Sequence, residues 1–188
     1  MKAMVIQRIA DVVNEPEPLA LVQMPEPVPG PGEILIRVTA CGICHTELDE
    51  IEGRTPPPVL PVIPGHQVVG LVAETGAGVS RFRRGDRVGA GWIYGACREC
   101  LWCRTDRENL CESFLATGRD RHGGYAEYMK IGEDFAYTIP GFFTDVQAAP
   151  LLCAGAIGYR SLRLAGVQDG EPLGLTGFGA SAHLVLQM

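Results

Sequence analysis

Short apolar segments separated by glycine and proline dominate the first 140 residues and predict a mainly β structure. Over residues 33–39 apolar and polar residues alternate, which is the period of a half-buried strand, with Leu35 as the one apolar exception. An apolar run over 68–72, interrupted by Gly70, predicts a second strand. Further strands are expected at 86–90, 125–130 and 134–138. Many short strands with such turns favour a small β-barrel or sandwich.

The pattern becomes helical after Pro140. Thr144 followed by Gln147 has the spacing of a capping box, which predicts that a helix begins there. Pro150 suits the first turn of a second helix over 151–164, because the N–H group that proline lacks would be unpaired there in any case.

The composition is that of a folded, acidic protein. Of 188 residues 46% are hydrophobic and 20% charged, which argues against disorder, and the formal net charge is −6. An acidic chain is a poor partner for nucleic acid or an anionic membrane. The sequence contains no apolar run of membrane-spanning length, and its N-terminus lacks the features of a signal peptide. We therefore expect a cytoplasmic protein with neither nucleic acid nor membrane as a partner.

Seven cysteines stand against four histidines, and four of the cysteines form one cluster. Cys97, Cys100, Cys103 and Cys111 are spaced C-x2-C-x2-C-x7-C. Four thiolates can close a tetrahedral zinc site without an open position, which is typical of structural zinc. Disulfides are the first alternative and are disfavoured inside the cell. An iron–sulfur cluster is the second, but ferredoxin runs have a shorter last gap followed by proline, whereas Glu112 follows here.

The remaining cysteines are Cys41, Cys44 and Cys153, and His66 lies between them in the sequence. Two thiolates and one imidazole would neutralise a zinc ion and leave a fourth position for water or substrate, as in catalytic zinc sites. Cys153 lies near the start of a predicted helix, where the positive end of the dipole favours a thiolate. Taken singly, each residue has a structural interpretation, because free cysteine is commonly a small buried hydrophobe.

Near the C-terminus, residues 172–176 predict a short strand and 180–188 the start of a helix. Between them Gly177, Gly179 and Ala182 give the pattern G-x-G-x-x-A, a variant of the dinucleotide-binding fingerprint. By itself this is a weak signal, since a glycine-rich turn between strand and helix can serve packing alone.

Together these motifs resemble the zinc-dependent medium-chain alcohol dehydrogenases, and within them the cinnamyl-alcohol-dehydrogenase-like enzymes. The motifs that carry the resemblance occur in family order: G-I-C-H-T-E at 42–47, G-H-Q at 65–67, the four-cysteine lobe at 97–111, G-G-Y-A-E-Y at 123–128 and L-L-C-A-G at 151–155. The resemblance implies a mainly β fold, with a GroES-like β-barrel catalytic domain and zinc lobe over 1–150. A linking helix and the first βα unit of an incomplete Rossmann (α/β) domain would follow over 151–188.

The resemblance also implies roles for the candidate residues. Cys44, His66 and Cys153 would hold a catalytic zinc, and the four-cysteine lobe a structural one, giving two zinc ions per chain. Glu47, where the family usually has aspartate, would orient the zinc-bound histidine. Thr46 would be the first proton relay from the alcohol.

Other roles implied by the resemblance concern the cofactor and the substrate. His45, Gly177, Gly179 and Ala182 would contact NAD or NADP. Trp92 would line the substrate pocket, with packing inside the barrel as its alternative.

Four further positions qualify the resemblance. Gln67 replaces the glutamate of the usual G-H-E and is a poorer zinc ligand. Asp49 stands where many members carry a relay histidine; it could pass protons through water, or be a solvated carboxylate without that role. Ile157 replaces a threonine near the nicotinamide, and Cys41 is expected to be a packed thiol.

The implied activity is that of an oxidoreductase, an NAD(P)-dependent alcohol dehydrogenase of the EC 1.1.1 type. An alcohol and an aldehyde or ketone would be interconverted by hydride transfer, with zinc as Lewis acid, in an enzyme that forms homo-oligomers. Only six residues follow Ala182, so the residue that selects NAD or NADP, roughly 20 positions on, is not in this sequence. We expect a chain truncated within the Rossmann domain and incomplete for turnover.

Two other interpretations remain. The chain could be a stable zinc-binding or interaction module without a cofactor site of its own. A quinone-reductase-like protein is disfavoured, because such relatives lack both zinc sites.

Overall fold

The computed structural model describes residues 1–188 and is built around one five-stranded sheet. The strands are β1 (Lys2–Ile6), β2 (Leu19–Gln23), β3 (Glu33–Cys41), β4 (Val68–Thr75), β5 (Arg87–Ala90), β6 (Ile93–Gly95), β7 (Leu115–Ala116), β8 (Tyr128–Gly132) and β9 (Ala136–Thr138). The α-helices are α1 (His45–Ile51), α2 (Asp145–Ala148), α3 (Ala154–Ala165) and α4 (Ala180–Val185). Short 3₁₀ turns lie at Cys103–Thr105, Glu108–Leu110, Glu133–Phe135 and Ala149–Leu152.

The sheet has the order β8-β3-β4-β5-β9, and every neighbouring pair is antiparallel. Strands β1 and β2 form a separate two-stranded sheet, and β6 pairs with β7 in another. The main core lies on one face of the large sheet and includes Ile34, Ile36, Val68, Val88 and Ile131, all fully buried. The structure confirms the mainly β class predicted from the short apolar segments.

Strand β3, next to the central strand β4, departs from the alternation of apolar and polar residues at Leu35. Ile34 and Ile36 both belong to the main core, whereas Leu35 is buried outside that core, so the two-residue period of β3 continues through it. The register of β3 against β4 shifts here, with the extra residue, Ala73, on β4. Gly70 in β4 faces the same irregular strand, where an added Cβ would lie 2.2 Å from the carbonyl oxygen of Arg37. Only glycine permits that close approach of the two strands.

The other strand predictions are confirmed, with boundaries moved by a few residues. The segments 68–72, 86–90, 125–130 and 134–138 correspond to β4, β5, β8 and β9. The pattern did not predict β1, β2, β6, β7 or α1. The last three are only two to seven residues long, too short for a period to be visible.

The predicted capping box is present at the start of α2. The N–H of Gln147 donates to Oγ1 of Thr144 at 3.3 Å, and the N–H of Thr144 donates to Oε1 of Gln147 at 2.9 Å. The second helix begins later than predicted. Pro150 lies in a separate 3₁₀ turn, and α3 starts only after Cys153, whose φ of −130° and ψ of −76° are not helical.

The strand predicted at 172–176 is wrong, because this segment forms no ladder with any other part of the chain. A strand exists only where a second backbone satisfies its hydrogen bonds, and the last strand of the chain is β9. A helix does begin at Ala180 as predicted, although it ends at Val185. The structure contains no helix that combines the length and the apolar character needed to cross a membrane.

Candidate metal centres and active site

Cys44, His66 and Cys153 are brought together from three distant segments of the chain. Cys44 immediately precedes α1, His66 lies just before β4, and Cys153 immediately precedes α3. Their ligand atoms all lie within 4.8 Å of one another, and the two Sγ atoms are 3.9 Å apart. Two thiolates on one tetrahedral zinc, each at about 2.3 Å, are separated by about 3.8 Å. The donor set therefore fits a single zinc ion.

The backbone at Gly65 places His66 beside the two cysteines. Gly65 has a φ of +97°, a conformation that other residues rarely adopt. An added Cβ would lie 2.4 Å from the Tyr125 ring and 2.9 Å from Sγ of Cys41. Cys41 is thus packed against this turn, and burial raises the pKa of its thiol to about 12. It is not one of the grouped donors, in agreement with its expected role as a packed thiol.

Glu47 contacts two of the three donor residues from the third position of α1. Its Oε2 accepts the backbone N–H of Cys44 at 2.7 Å. Its Oε1 lies 2.7 Å from Nδ1 of His66, and neither of these two atoms has another hydrogen-bonding partner. Because Nδ1 faces the carboxylate, Nε2 is the imidazole atom left to face a metal ion.

Contacts among the three donor residues shift their pKa values when no metal ion is bound. Hydrogen bonds from Cys153 and His66 lower the pKa of Cys44 to about 3. Burial disfavours a charged imidazole, yet the contacts with Cys44 and Glu47 outweigh it and raise the pKa of His66 to about 9. The expectation that the helix start favours a thiolate at Cys153 stays a prediction. The two Sγ atoms form a hydrogen bond, and this contact raises the pKa of Cys153 when no metal ion is bound.

A cavity of about 650 Å³ opens onto this centre. Thr46, His66, Trp92 and Cys153 line it, and Oγ1 of Thr46 lies 3.5 Å from Sγ of Cys44. Trp92 meets the His66 ring edge to face, with centroids 5.0 Å apart. Further walls are Gly91, Ile93, Leu151, Leu152, Ala156 and Ile157. These walls are apolar, and the Thr46 hydroxyl lies beside the Cys44 sulfur atom.

Sequence reasoning missed three polar residues of this cavity, namely Asn109, Tyr137 and Arg160. They come from a 3₁₀ turn region, from β9 and from α3, so no local motif joins them. These three residues meet at the cavity only in the tertiary structure, so the local sequence does not reveal them.

Two of the predicted site residues lie away from the cavity. The His45 side chain is 75% exposed, with Nε2 3.7 Å from Oδ1 of Asp49. Asp49 is ion-paired with Arg54, and neither Asp49 nor His45 lines the cavity. Gln67, by contrast, is buried next to His66 and packs against Gly42.

The glycine-rich motif forms the turn before α4. Gly177 has a φ of +81°, Gly179 immediately precedes the helix, and Ala182 is buried within it. None of the three lines the cavity. The structure thus keeps this motif separate from the Cys44 centre.

The four cysteines of the lobe form a second donor group. Sγ atoms of Cys97, Cys100, Cys103 and Cys111 all lie within 4.8 Å of one another, and those of Cys97 and Cys103 are 3.8 Å apart. A disulfide would require about 2.0 Å. Backbone N–H groups of Cys97 and Cys100 donate to Sγ of Cys111 and Cys97, at 3.4 and 3.3 Å. The spacing and the donor set fit a tetrahedral zinc with no open position.

Comparison with known proteins shows which family this chain is similar to. Residues 30–141, more than half of the chain, match the alcohol dehydrogenase GroES-like domain. A probable alcohol dehydrogenase, AdhA of Mycobacterium tuberculosis, is 47% identical over 176 residues, covering 91% of this chain and 51% of the relative.

Solved structures agree with the sequence relatives. A cinnamyl alcohol dehydrogenase of Sorghum bicolor superimposes with a TM-score of 0.86 at 32% identity, covering 98% of this chain and 54% of the other. A cobalt- and zinc-bound thermostable alcohol dehydrogenase of Pyrobaculum aerophilum gives 0.90 at 29% identity, covering 100% and 55%. The chain spans about half the length of the relatives that it matches. The matched domain, the two donor groups and these relatives show that the chain belongs to the zinc-dependent medium-chain alcohol dehydrogenase family.

Proposed function

We propose that this chain supplies the catalytic zinc centre of an NAD(P)-dependent alcohol dehydrogenase. The observation that carries the proposal is the meeting of two thiolate donors and one imidazole at an apolar cavity, with the Thr46 hydroxyl beside them. Such a donor set leaves one position of a tetrahedral zinc free for a substrate oxygen. The whole protein would interconvert an alcohol with an aldehyde or ketone.

A zinc ion held at this centre would supply Lewis acidity to the substrate oxygen. Cys44, His66 and Cys153 would hold the ion, and Glu47 keeps the imidazole of His66 in the required orientation. Thr46, whose Oγ1 lies 3.5 Å from Sγ of Cys44, would receive the proton that the alcohol loses. Trp92 and the aliphatic walls give the same space a mainly apolar lining.

Further parts of the proposal concern the cofactor and the second metal. Hydride would pass to the nicotinamide of NAD or NADP, with His45, Gly177, Gly179 and Ala182 as cofactor contacts. The lobe would hold a structural zinc, giving two zinc ions per chain. Asp49 would act as an outer proton acceptor only if water connects it to Thr46, since Arg54 is now its partner.

The proposal also covers the domain organisation, the oligomeric state and the cellular location of the whole protein. A catalytic domain over 1–150 would be followed over 151–188 by the first part of a dinucleotide-binding domain, in a homo-oligomeric cytoplasmic enzyme.

Metal counting on Cys44→Ala tests the central claim. The unmodified chain should carry two zinc ions and the variant one, held by the lobe. Cys41→Ala is the matched control, because Cys41 is adjacent in the fold but is not a donor, and it should retain both ions. Two zinc ions in Cys44→Ala would refute the assignment.

A further inference from the structure

Glu50 is a fully buried carboxyl group for which the chain provides no partner. Its exposed fraction is 0%, and neither Oε1 nor Oε2 has a hydrogen bond. Buried polar groups in native proteins are almost always paired, so each exception calls for a physical explanation. Glu50 lies on α1 three residues after Glu47, and both side chains are on the buried face of this helix.

The groups that face Glu50 belong to the surroundings of the Cys44 centre. Glu47 lies on the same helix, His66 precedes β4, and Arg119 and Asp120 come from the loop after β7. Arg119 is ion-paired with Asp120 at 2.8 Å and makes no hydrogen bond with Glu50, although its positive charge lowers the pKa of Glu50.

Tyr125 lies in one cavity with Cys44 and Glu47. Burial first, and then the negative charges of Glu47, Cys41, Cys44 and Glu50, raise the pKa of its phenol. Glu50, three residues along α1 from the carboxylate that contacts His66, is therefore near enough to act on the Cys44 centre electrostatically.

We infer that Glu50 is a positioning residue of the metal centre. Its buried carboxylate does not bind the metal ion, but its negative charge strengthens the binding of a divalent cation by Cys44, His66 and Cys153. The inference rests on the proposed zinc function. Two thiolates balance a divalent ion, and Glu47 and Glu50 then add two negative charges that water does not screen. Without the cation these charges repel one another, and burial together with Glu47 raises the pKa of Glu50 to about 8.

The zinc affinity of Glu50→Gln, measured by chelator competition at pH 8.5, tests this inference. The substitution keeps the shape of the side chain and removes its charge. We expect zinc at the Cys44 centre to bind about 10- to 100-fold more weakly, as for the loss of other outer partners of metal ligands. The lobe centre in the same molecule should bind zinc with unchanged affinity, and Glu50→Asp should retain most of the affinity at both centres.

Controls separate a charge effect from a folding effect. Glu33→Gln removes a partly buried carboxylate that pairs with Lys130 far along the chain, and it should leave both zinc affinities unchanged. Metal-free Glu50→Gln should unfold at the same denaturant concentration as the unmodified chain or a higher one, because an unpaired buried carboxyl is lost. Arg119→Gln removes a cation that faces Glu50 and should tighten zinc binding, a test that does not depend on the folding of a Glu50 variant.

Equal zinc affinity in the unmodified chain and Glu50→Gln would overturn the inference. So would a parallel loss at both centres with lower stability, which would assign Glu50 a folding role. If the Glu50 variants do not fold, an unchanged zinc affinity in Arg119→Gln would overturn it. If the unmodified chain binds only one zinc, the proposed function itself fails, and the inference with it.

Discussion

Nδ1 of His66 lies 2.7 Å from Oε1 of Glu47, in a region where both side chains are buried. The second carboxylate oxygen of Glu47 accepts the N–H of Cys44. One side chain therefore fixes the orientation of one metal donor and the backbone of another. Glutamate can make both contacts because it stands at the third position of α1, one turn from the residue that begins the helix.

Glu47→Ala should weaken zinc binding at the Cys44 centre by about 10- to 100-fold. The reason is that His66 would lose the acceptor that fixes its ring and keeps Nε2 directed at the metal. Chelator competition with metal counting measures the effect. Glu52→Ala is the control at the other end of α1, where the carboxylate pairs only with partly exposed Arg54, and it should bind zinc normally. Normal zinc affinity in Glu47→Ala would contradict the assigned contact.

Gly65→Ala should destabilise the chain strongly. A Cβ there would meet both Tyr125 and Cys41 at less than 3 Å, in addition to the strain of a positive φ. We expect a loss of about 3 kcal/mol or more in the free energy of unfolding, within the range of overpacked core sites.

Gly78→Ala is the matched comparison for Gly65→Ala. Its φ is +80°, but an added Cβ has no neighbour within 4 Å, so only backbone strain of about 1 kcal/mol is expected. Urea unfolding of both variants measures the difference. Equal losses in the free energy of unfolding would mean that contacts of an added Cβ at Gly65 do not destabilise the chain.

The four-cysteine lobe should depend on its metal for order. Between residues 97 and 115 only Cys103 and Cys111 are buried, so no apolar core holds this segment. Cys100→Ser should lose one zinc and become open to trypsin at Arg98, Arg104 and Arg107, while the five-stranded sheet remains folded. Limited proteolysis followed by mass spectrometry locates the cleavages. If Cys100→Ser lost one zinc ion and the lobe still resisted trypsin, the lobe would not depend on a metal ion for its order.

The metal-free chain should lose stability as the pH rises through the titration of Glu50. Its folded-state pKa is raised to about 8, whereas the unfolded group titrates near 4.5, so between these values the folded chain binds the proton more tightly. The free energy of unfolding relative to Glu50→Gln should therefore fall from pH 5 to pH 9. One pKa unit corresponds to about 1.4 kcal/mol, so the fall amounts to a few kcal/mol. Urea unfolding at several pH values in excess chelator measures it, and a constant difference would refute the raised pKa.

Local patterns in the sequence gave correct predictions where the cause of a structure is local. The capping box at Thr144, the alternating strand at 33–39 and the spacing of the four lobe cysteines all depend on neighbours within a few residues. The strand at 172–176 failed for the opposite reason. Its apolar residues satisfy the pattern, but hydrogen bonds to a second strand are not a property of the segment itself.

The donor residues show the same division between local and tertiary causes. The spacing of the four lobe cysteines by itself predicted a closed zinc site, whereas Cys44, His66 and Cys153 were assigned to a second zinc only through the resemblance to the alcohol dehydrogenase family. The 3.9 Å approach of Cys44 to Cys153, 109 positions apart, comes only from the tertiary structure, in which the 3₁₀ turn before Cys153 packs against the sheet. Burial of Glu50 without a partner is likewise decided by the tertiary structure, since nothing in its local sequence removes it from water.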